Sequence, residues 1–163
     1  MDDDLRMLAA EEYLADIWIY RQKVERFLQA VDTCKARLYS IGFTDFTQTK
    51  IKSSSGKKGA HYENGLIKLE SLQELYKNKF YIWKCKSIAP LVSIGKLQNV
   101  NHEYLLRSRY SSGKPWSDIQ EKIGCKDIKE ARNNALMELS YIMESEGRLE
   151  AYANKVLEGG TRR

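Results

Sequence analysis

The residues best suited to specific chemistry form a short polar run at 126–134, near the end of the chain. Once Ile128 and Ala131 are assigned to the core, this run still offers lysine, arginine and asparagine side chains. Arginine pairs with guanine and asparagine with adenine, each through two hydrogen bonds at base edges in the DNA major groove. We therefore expect base contacts from Lys129, Arg132 and Asn133.

A second group of basic side chains is suited to DNA phosphates, which lysine and arginine neutralise. Residues 50–86 hold nine lysines against three glutamates, so the basic charge is concentrated in the middle of the chain. The alternative to DNA contact is that residues 50–58 form a solvated linker and that residues 126–134 are ordinary solvated helix positions. The candidates for phosphate contact are Lys114, Lys126, Arg107, Arg109, Lys50, Lys52, Lys57 and Lys58.

Three predicted helices place the base-contact residues. A short helix at 101–110 is followed by a turn at 111–115, and a second short helix runs to Gly124. It starts either at Pro115, which suits a first helical turn, or two residues later at a capping box, Ser-Asp-Ile-Gln at 117–120. A third helix spans about 127–145. Two helices joined by a glycine-containing turn are typical of a helix-turn-helix. The core face of the third helix is predicted to hold Ile128, Ala131, Ala135, Leu136, Leu139 and Ile142 or Met143.

The preceding part of the chain predicts a long antiparallel helical hairpin. Its first helix ends at Gly42, a basic loop covers 44–60, and the second helix ends or kinks at Pro90. The fold class is therefore all-α, a hairpin followed by a C-terminal three-helix unit. The predicted domains are 1–92, 93–148 and a tail at 149–163. The seam of the first helix is Ile17, Tyr20, Val24, Phe27, Val31, Cys34, Leu38 and Ile41.

Several short motifs of the C-terminal unit resemble those of sigma-factor region 4-like domains. The particular resemblance is to the ArpU/RinA-like late transcriptional regulators of phages of Gram-positive hosts, and to a related uncharacterised phage family. In these proteins a long helical region precedes the same pattern. The motifs are Leu-Arg-Ser-Arg-Tyr at 106–110, Gly-Lys-Pro-Trp-Ser-Asp-Ile at 113–119, Ile-Gly at 123–124 and Ala-Leu-Met-Glu-Leu at 135–139.

The resemblance implies a phage DNA-binding transcriptional regulator that reads double-stranded DNA with a helix-turn-helix. It is expected to form a homodimer through the long helices, because dimers match paired half-sites. One alternative is a protein–protein module that binds RNA polymerase or a host defence protein. Another is a small DNA-packaging terminase subunit, which also combines a helix-turn-helix with coiled-coil oligomerisation.

The remaining features lead us to expect neither an enzyme nor a cofactor. Catalytic pairings and phosphate-cradling glycine motifs are not found. A metal site is not expected either, because cysteines and histidines lack ligand spacing. The acidic start of the chain and the lack of a long apolar run predict a cytoplasmic protein without membrane contact, and the phage resemblance implies the cytoplasm of a bacterial host. The cysteines and histidines that lack metal-ligand spacing are Cys34, Cys85, Cys125, His61 and His102.

Overall fold

The computed structural model of the chain describes residues 1–47 and 55–160, with the side chains of 41–62, 75, 76 and 160 outside that description. All regular structure in these ranges is helical, so the all-α class is confirmed. None of the helices described is long and apolar enough to cross a membrane. They are α1 (Asp3–Thr47), α2 (Ser55–Ile94), α3 (Val100–Leu106), a π-helical turn (Arg107–Ser111), α4 (Trp116–Ile123), α5 (Ile128–Ser145) and α6 (Leu149–Gly160).

The chain forms two compact units whose boundary differs from the predicted one. The first unit joins Met1–Arg21 to Cys85–Arg163, and the second consists of Gln22–Lys84. The first turns of α1 and the last turns of α2 therefore belong with the C-terminal helices and not with the hairpin at 1–92. Heptad periodicity identifies the buried face of a helix but not the partner that covers it, which explains the difference.

In the second unit, α1 and α2 pack along the predicted seam. The rings of Phe27 and Phe80 lie 5.4 Å apart between centroids. At the other end of the pair, a Cβ added to Gly65 would lie 2.5 Å from Leu38 Cδ2. Residue numbers rise along one helix as they fall along the other, so these segments are antiparallel. Leu38 and its seam neighbour Val31 are buried.

The predicted limits of the two long helices differ from those in the structure. Gly42 does not end α1 but lies inside it, and an interior glycine costs a helix only about 1 kcal/mol. Of the two outcomes predicted at Pro90, an end of the helix is wrong, because α2 continues to Ile94; the proline is fully buried, and core packing offsets the hydrogen bond that it removes. The predicted loop at 44–60 is helical up to Thr47 and again from Ser55.

The first unit is built around a core to which nearly every helix contributes. α5 lies at its centre and supplies four of the buried apolar side chains. α1 supplies five more buried side chains and so covers part of that core. The buried residues are Ala9, Ala10, Tyr13, Leu14, Ile17, Ile94, Leu97, Leu105, Leu106, Ile119, Ala135, Leu136, Leu139, Met143, Leu149 and Ala153.

The predicted tail at 149–163 is helical from residue 149 to residue 160 and packs on α1. The Tyr152 hydroxyl donates to Asp16 Oδ2 at 2.5 Å, and Asp16 is only 3% exposed. Burial, followed by the Asp16 carboxylate, raises the pKa of Tyr152 above its usual range. Lys155 adds an ion pair to Glu12 at 2.6 Å. These contacts make α6 part of the first unit.

The carboxylate of Glu138 connects α5 to the start of α3. One oxygen accepts the backbone N–H groups of Gln98 and Asn99 at 2.7 and 3.3 Å, and the other lies 2.6 Å from His102 Nδ1. Burial acts to raise the pKa of Glu138, but the hydrogen bonds from His102 and the two backbone groups outweigh it and lower that pKa. The ionised form therefore holds α3 against α5.

This arrangement predicts a pH-dependent loss of stability. Because the pKa of Glu138 is lower in the folded chain, its contribution is present above the unfolded value of about 4.3 and is lost as pH falls through the folded value. Glu138→Gln should lower Tm at neutral pH, and its difference from wild type should shrink towards about pH 3, as measured by circular dichroism. Glu121→Gln, on an exposed position of α4, is the control. A difference that stays constant with pH would contradict this role.

Candidate nucleic-acid interface

A tight turn joins α4 to α5 and fixes where α5 begins. Gly124 adopts the left-handed conformation, with φ of +64°, and its N–H donates to the Gln120 carbonyl at 2.9 Å. Glycine adopts this conformation at little cost. The Gln120 side-chain amide donates to the carbonyls of Cys125 and Lys126, each at 3.2 Å. The last turn of α4 is thus hydrogen-bonded to the segment that leads into α5.

Asp127 caps the N-terminus of α5. Its Oδ1 accepts the backbone N–H groups of Lys129 and Glu130 at 2.8 and 3.2 Å. An aspartate at this position satisfies donors that lack partners in the helix, and such a cap contributes about 1 kcal/mol. The first turn of α5, which carries Lys129 and leads directly into Arg132 and Asn133, is therefore anchored at its start.

Two of the three predicted base-contact residues are exposed. Lys129 and Asn133 lie four residues apart on α5, so they are neighbours on one helix face. Glu130 and Asn134 are exposed beside them. This face therefore combines one cation, one carboxylate and two amides, a set that can both donate and accept hydrogen bonds at base edges.

The structure places Arg132, the third candidate, against α1. Its guanidinium forms an ion pair with Glu11, and the Tyr110 hydroxyl donates to the same carboxylate oxygen at 2.9 Å. Burial and the nearby Glu11 carboxylate raise the pKa of Tyr110 to about 12. Arg132 is thus engaged within the fold and not on the exposed face with Asn133.

The candidates for phosphate contact near α4 are in different environments. Lys114 and Lys126 are exposed. Arg109 donates to the Lys114 carbonyl at 3.1 Å. Arg107 forms an ion pair with Glu103 at 2.8 Å, one helical turn earlier. Lys114 and Lys126 are therefore the better placed of the four for a phosphate, while much of the Arg107 charge is neutralised.

The basic residues near the start of α2 are only partly within the description. Lys50 and Lys52 lie outside the described residues. The backbone of Lys57 and Lys58 lies in α2, and their side chains are outside the description. Their predicted contacts with phosphate remain predictions.

Two further cations near this site were not among the sequence predictions. Lys122 is exposed in the last turn of α4, and its position close to the glycine-containing turn could have identified it. Arg21 reaches from α1 and donates to the Ser111 carbonyl at 3.1 Å. Because 90 residues separate this pair in the chain, no local pattern identifies Arg21.

A groove of about 300 Å³ runs beside the start of α5 and includes residue types that can bind metals. Among its lining residues are His102, Cys125, Asp127 and Glu130. Two of them already have other roles, since His102 contacts Glu138 and Asp127 caps α5. Among the residues that the structure describes, no three such side chains are arranged to hold a metal ion.

Neither a family model, nor a curated protein, nor a solved structure matches the chain. Conclusions about its function therefore depend on the geometry around α4 and α5.

Proposed function

We propose that the chain is a DNA-binding transcriptional regulator in which α4, the turn and α5 act as a helix-turn-helix. The observation that carries the proposal is the start of α5, where the Asp127 cap fixes a helix that exposes Lys129 and Asn133 in its first two turns. In a helix-turn-helix, side chains at the start of the second helix meet base edges in the major groove.

The two exposed side chains have separate roles in this proposal. The Asn133 amide donates to and accepts from the edge of an adenine, and Lys129 donates to the acceptors of a guanine. Lys114, Lys122 and Lys126 contact phosphates on either side and set the register of the helix on the duplex. Arg132 takes no part in base contact, because it holds α5 against α1 through Glu11.

The resemblance of the motifs at 106–139 to phage late regulators supports transcription as the process. A homodimer is part of the proposal, since paired half-sites one DNA turn apart require two helix-turn-helix units. The second unit offers apolar side chains for such an interface, with Tyr39, Ile67 and Tyr81 exposed by 71%, 59% and 70%.

The test is a fluorescence anisotropy titration of the full chain on the duplex upstream of its own gene, at two salt concentrations. With three phosphate contacts from each helix-turn-helix, raising the salt fourfold should weaken binding by roughly 40-fold for each bound copy. A scrambled duplex of equal length is the control for sequence preference. No binding at low salt, or binding indifferent to salt, would overturn the proposal.

A protein-binding module is the second candidate, and the exposed apolar side chains of the second unit favour it. Exposed aromatic and aliphatic side chains contribute favourably to binding when a partner removes them from water. If the chain has no DNA affinity but purified bacterial RNA polymerase binds it, the helix-turn-helix serves as a scaffold. Tyr81→Ser should then weaken that binding, and Asn133→Ala should leave it unchanged.

A further inference from the structure

Three cations of the first unit surround the turn before α4, and each lies over an aromatic ring. Arg21 Cζ lies 5.2 Å from the centre of the Trp18 ring. Arg109 Cζ lies 5.1 Å from the Trp116 ring, and Lys114 Nζ lies 5.7 Å from the Tyr104 ring. We call this set the stacked-cation surface: Arg21, Arg109 and Lys114 with Trp18, Trp116 and Tyr104.

The backbone of the turn holds this surface in place. Gly113 has φ of +68°, and its N–H donates to the Arg109 carbonyl at 3.1 Å. The Lys114 N–H donates to the Ser108 carbonyl at 3.1 Å. A Cβ at Gly113 would lie 3.6 Å from the ring of Trp18, so α1 packs directly on the turn.

The cations of the stacked-cation surface make few contacts that would compete with an anion. Arg21 and Arg109 each donate to a backbone carbonyl, of Ser111 and Lys114, at 3.1 Å. Each guanidinium has five N–H donors, so one such bond leaves others available. Within the described ranges, none of the three cations pairs with a carboxylate, whereas Arg6, Arg107 and Arg132 do. The surface therefore presents the exposed Lys114 and the half-buried Arg21 and Arg109, none of them paired with a carboxylate of the described residues.

We propose that the stacked-cation surface binds the phosphodiester backbone of duplex DNA, with Arg21 and Trp18 of α1 as part of the site. Stacking limits the motion of the cations, so less entropy is lost when an anion binds. The inference rests on the proposed function and adds α1 to the DNA-binding surface.

Two neighbouring features support an anion at this place. Pro115 precedes α4 and has no side-chain acceptor, so it does not cap the first N–H groups of that helix, whose dipole also favours negative charge. The pKa of Tyr104 is lowered first by a hydrogen bond with Ser108, and the positive charges of Lys114 and Lys122 lower it further. Asp118, in the first turn of α4, offsets part of that positive charge.

The test measures how DNA affinity depends on salt for single and combined variants of the full chain. Arg21→Gln, Arg109→Gln and Lys114→Gln should each reduce the slope of log K against log salt by about 1 for each bound copy of the chain, and the triple variant by about 3 per copy. Arg107→Gln is the matched control, because Glu103 already neutralises that charge. Arg21→Lys should keep the slope, since it keeps the charge.

The outcomes separate this inference from the proposed function. Wild type that fails to bind DNA contradicts the proposed function, and the inference with it. If wild type binds DNA and the triple variant shows the same salt slope as wild type, only the stacked-cation surface is overturned. If the arginines only brace the turn, their variants lower Tm and leave the slope unchanged. Lys114→Gln decides the matter if they unfold, because its side chain is exposed and the turn hydrogen bonds use its backbone.

Discussion

Leu139→Ala is expected to lower the free energy of unfolding by about 2–5 kcal/mol. Leu139 is fully buried in the core of the first unit, so its removal leaves a cavity that the surrounding helices fill only partly. Urea unfolding followed by circular dichroism measures the change. Far-ultraviolet spectra before the transition should match wild type, because the helices themselves remain.

The matched control for this substitution is Leu8→Ala, at a position of α1 that is 49% exposed. Here the expected loss is about 1 kcal/mol or less, since little buried volume is removed. Equal losses for the two variants would mean that α5 is not packed against the core as described.

Arg132→Ala is expected to reduce stability by about 1–2 kcal/mol while DNA affinity of the folded chain stays near that of wild type. Its removal leaves Glu11 and Tyr110 without their cation in a partly buried site. The expected loss of stability is modest because the Arg132 and Glu11 side chains keep about a third of their exposure to solvent. Chemical denaturation and DNA titration of the same preparation measure the two quantities.

A double-mutant cycle with Glu11→Gln separates the ion pair from other effects of the substitution. The combined loss of the double variant should be smaller than the sum of the two single losses. If Arg132→Ala instead weakened DNA binding by tenfold or more with unchanged stability, Arg132 would be a base-contact residue after all.

Local signals in the sequence predicted the helix boundaries around the proposed site, with the start of α4 placed at Pro115 or two residues later. The α4 helix follows Pro115 and ends at Gly124, and α5 begins beside Asp127, because these residue types act on the backbone next to them. Seam positions such as Val31 and Leu38 are buried for a similar reason, since periodicity places apolar side chains on one helix face.

Contacts between distant parts of the chain could not be predicted in the same way. The partner of Arg132 is Glu11, 121 residues earlier, and neither residue has a local pattern that indicates the pair. The same holds for Tyr152 and Asp16, which join α6 to α1 across 136 residues. An exposed and an engaged arginine look alike in sequence, so the base-contact prediction included Arg132.

The most direct test of the proposed helix-turn-helix compares Asn133→Ala with wild type on two duplexes. One is a sequence that wild type selects from a random library, and the other is a scrambled version. We predict that Asn133→Ala weakens binding to the selected duplex by about 10- to 100-fold and leaves binding to the scrambled one unchanged, because base contacts carry specificity. Equal affinities of variant and wild type on the selected duplex, or equal losses on both duplexes, would contradict base contact by α5.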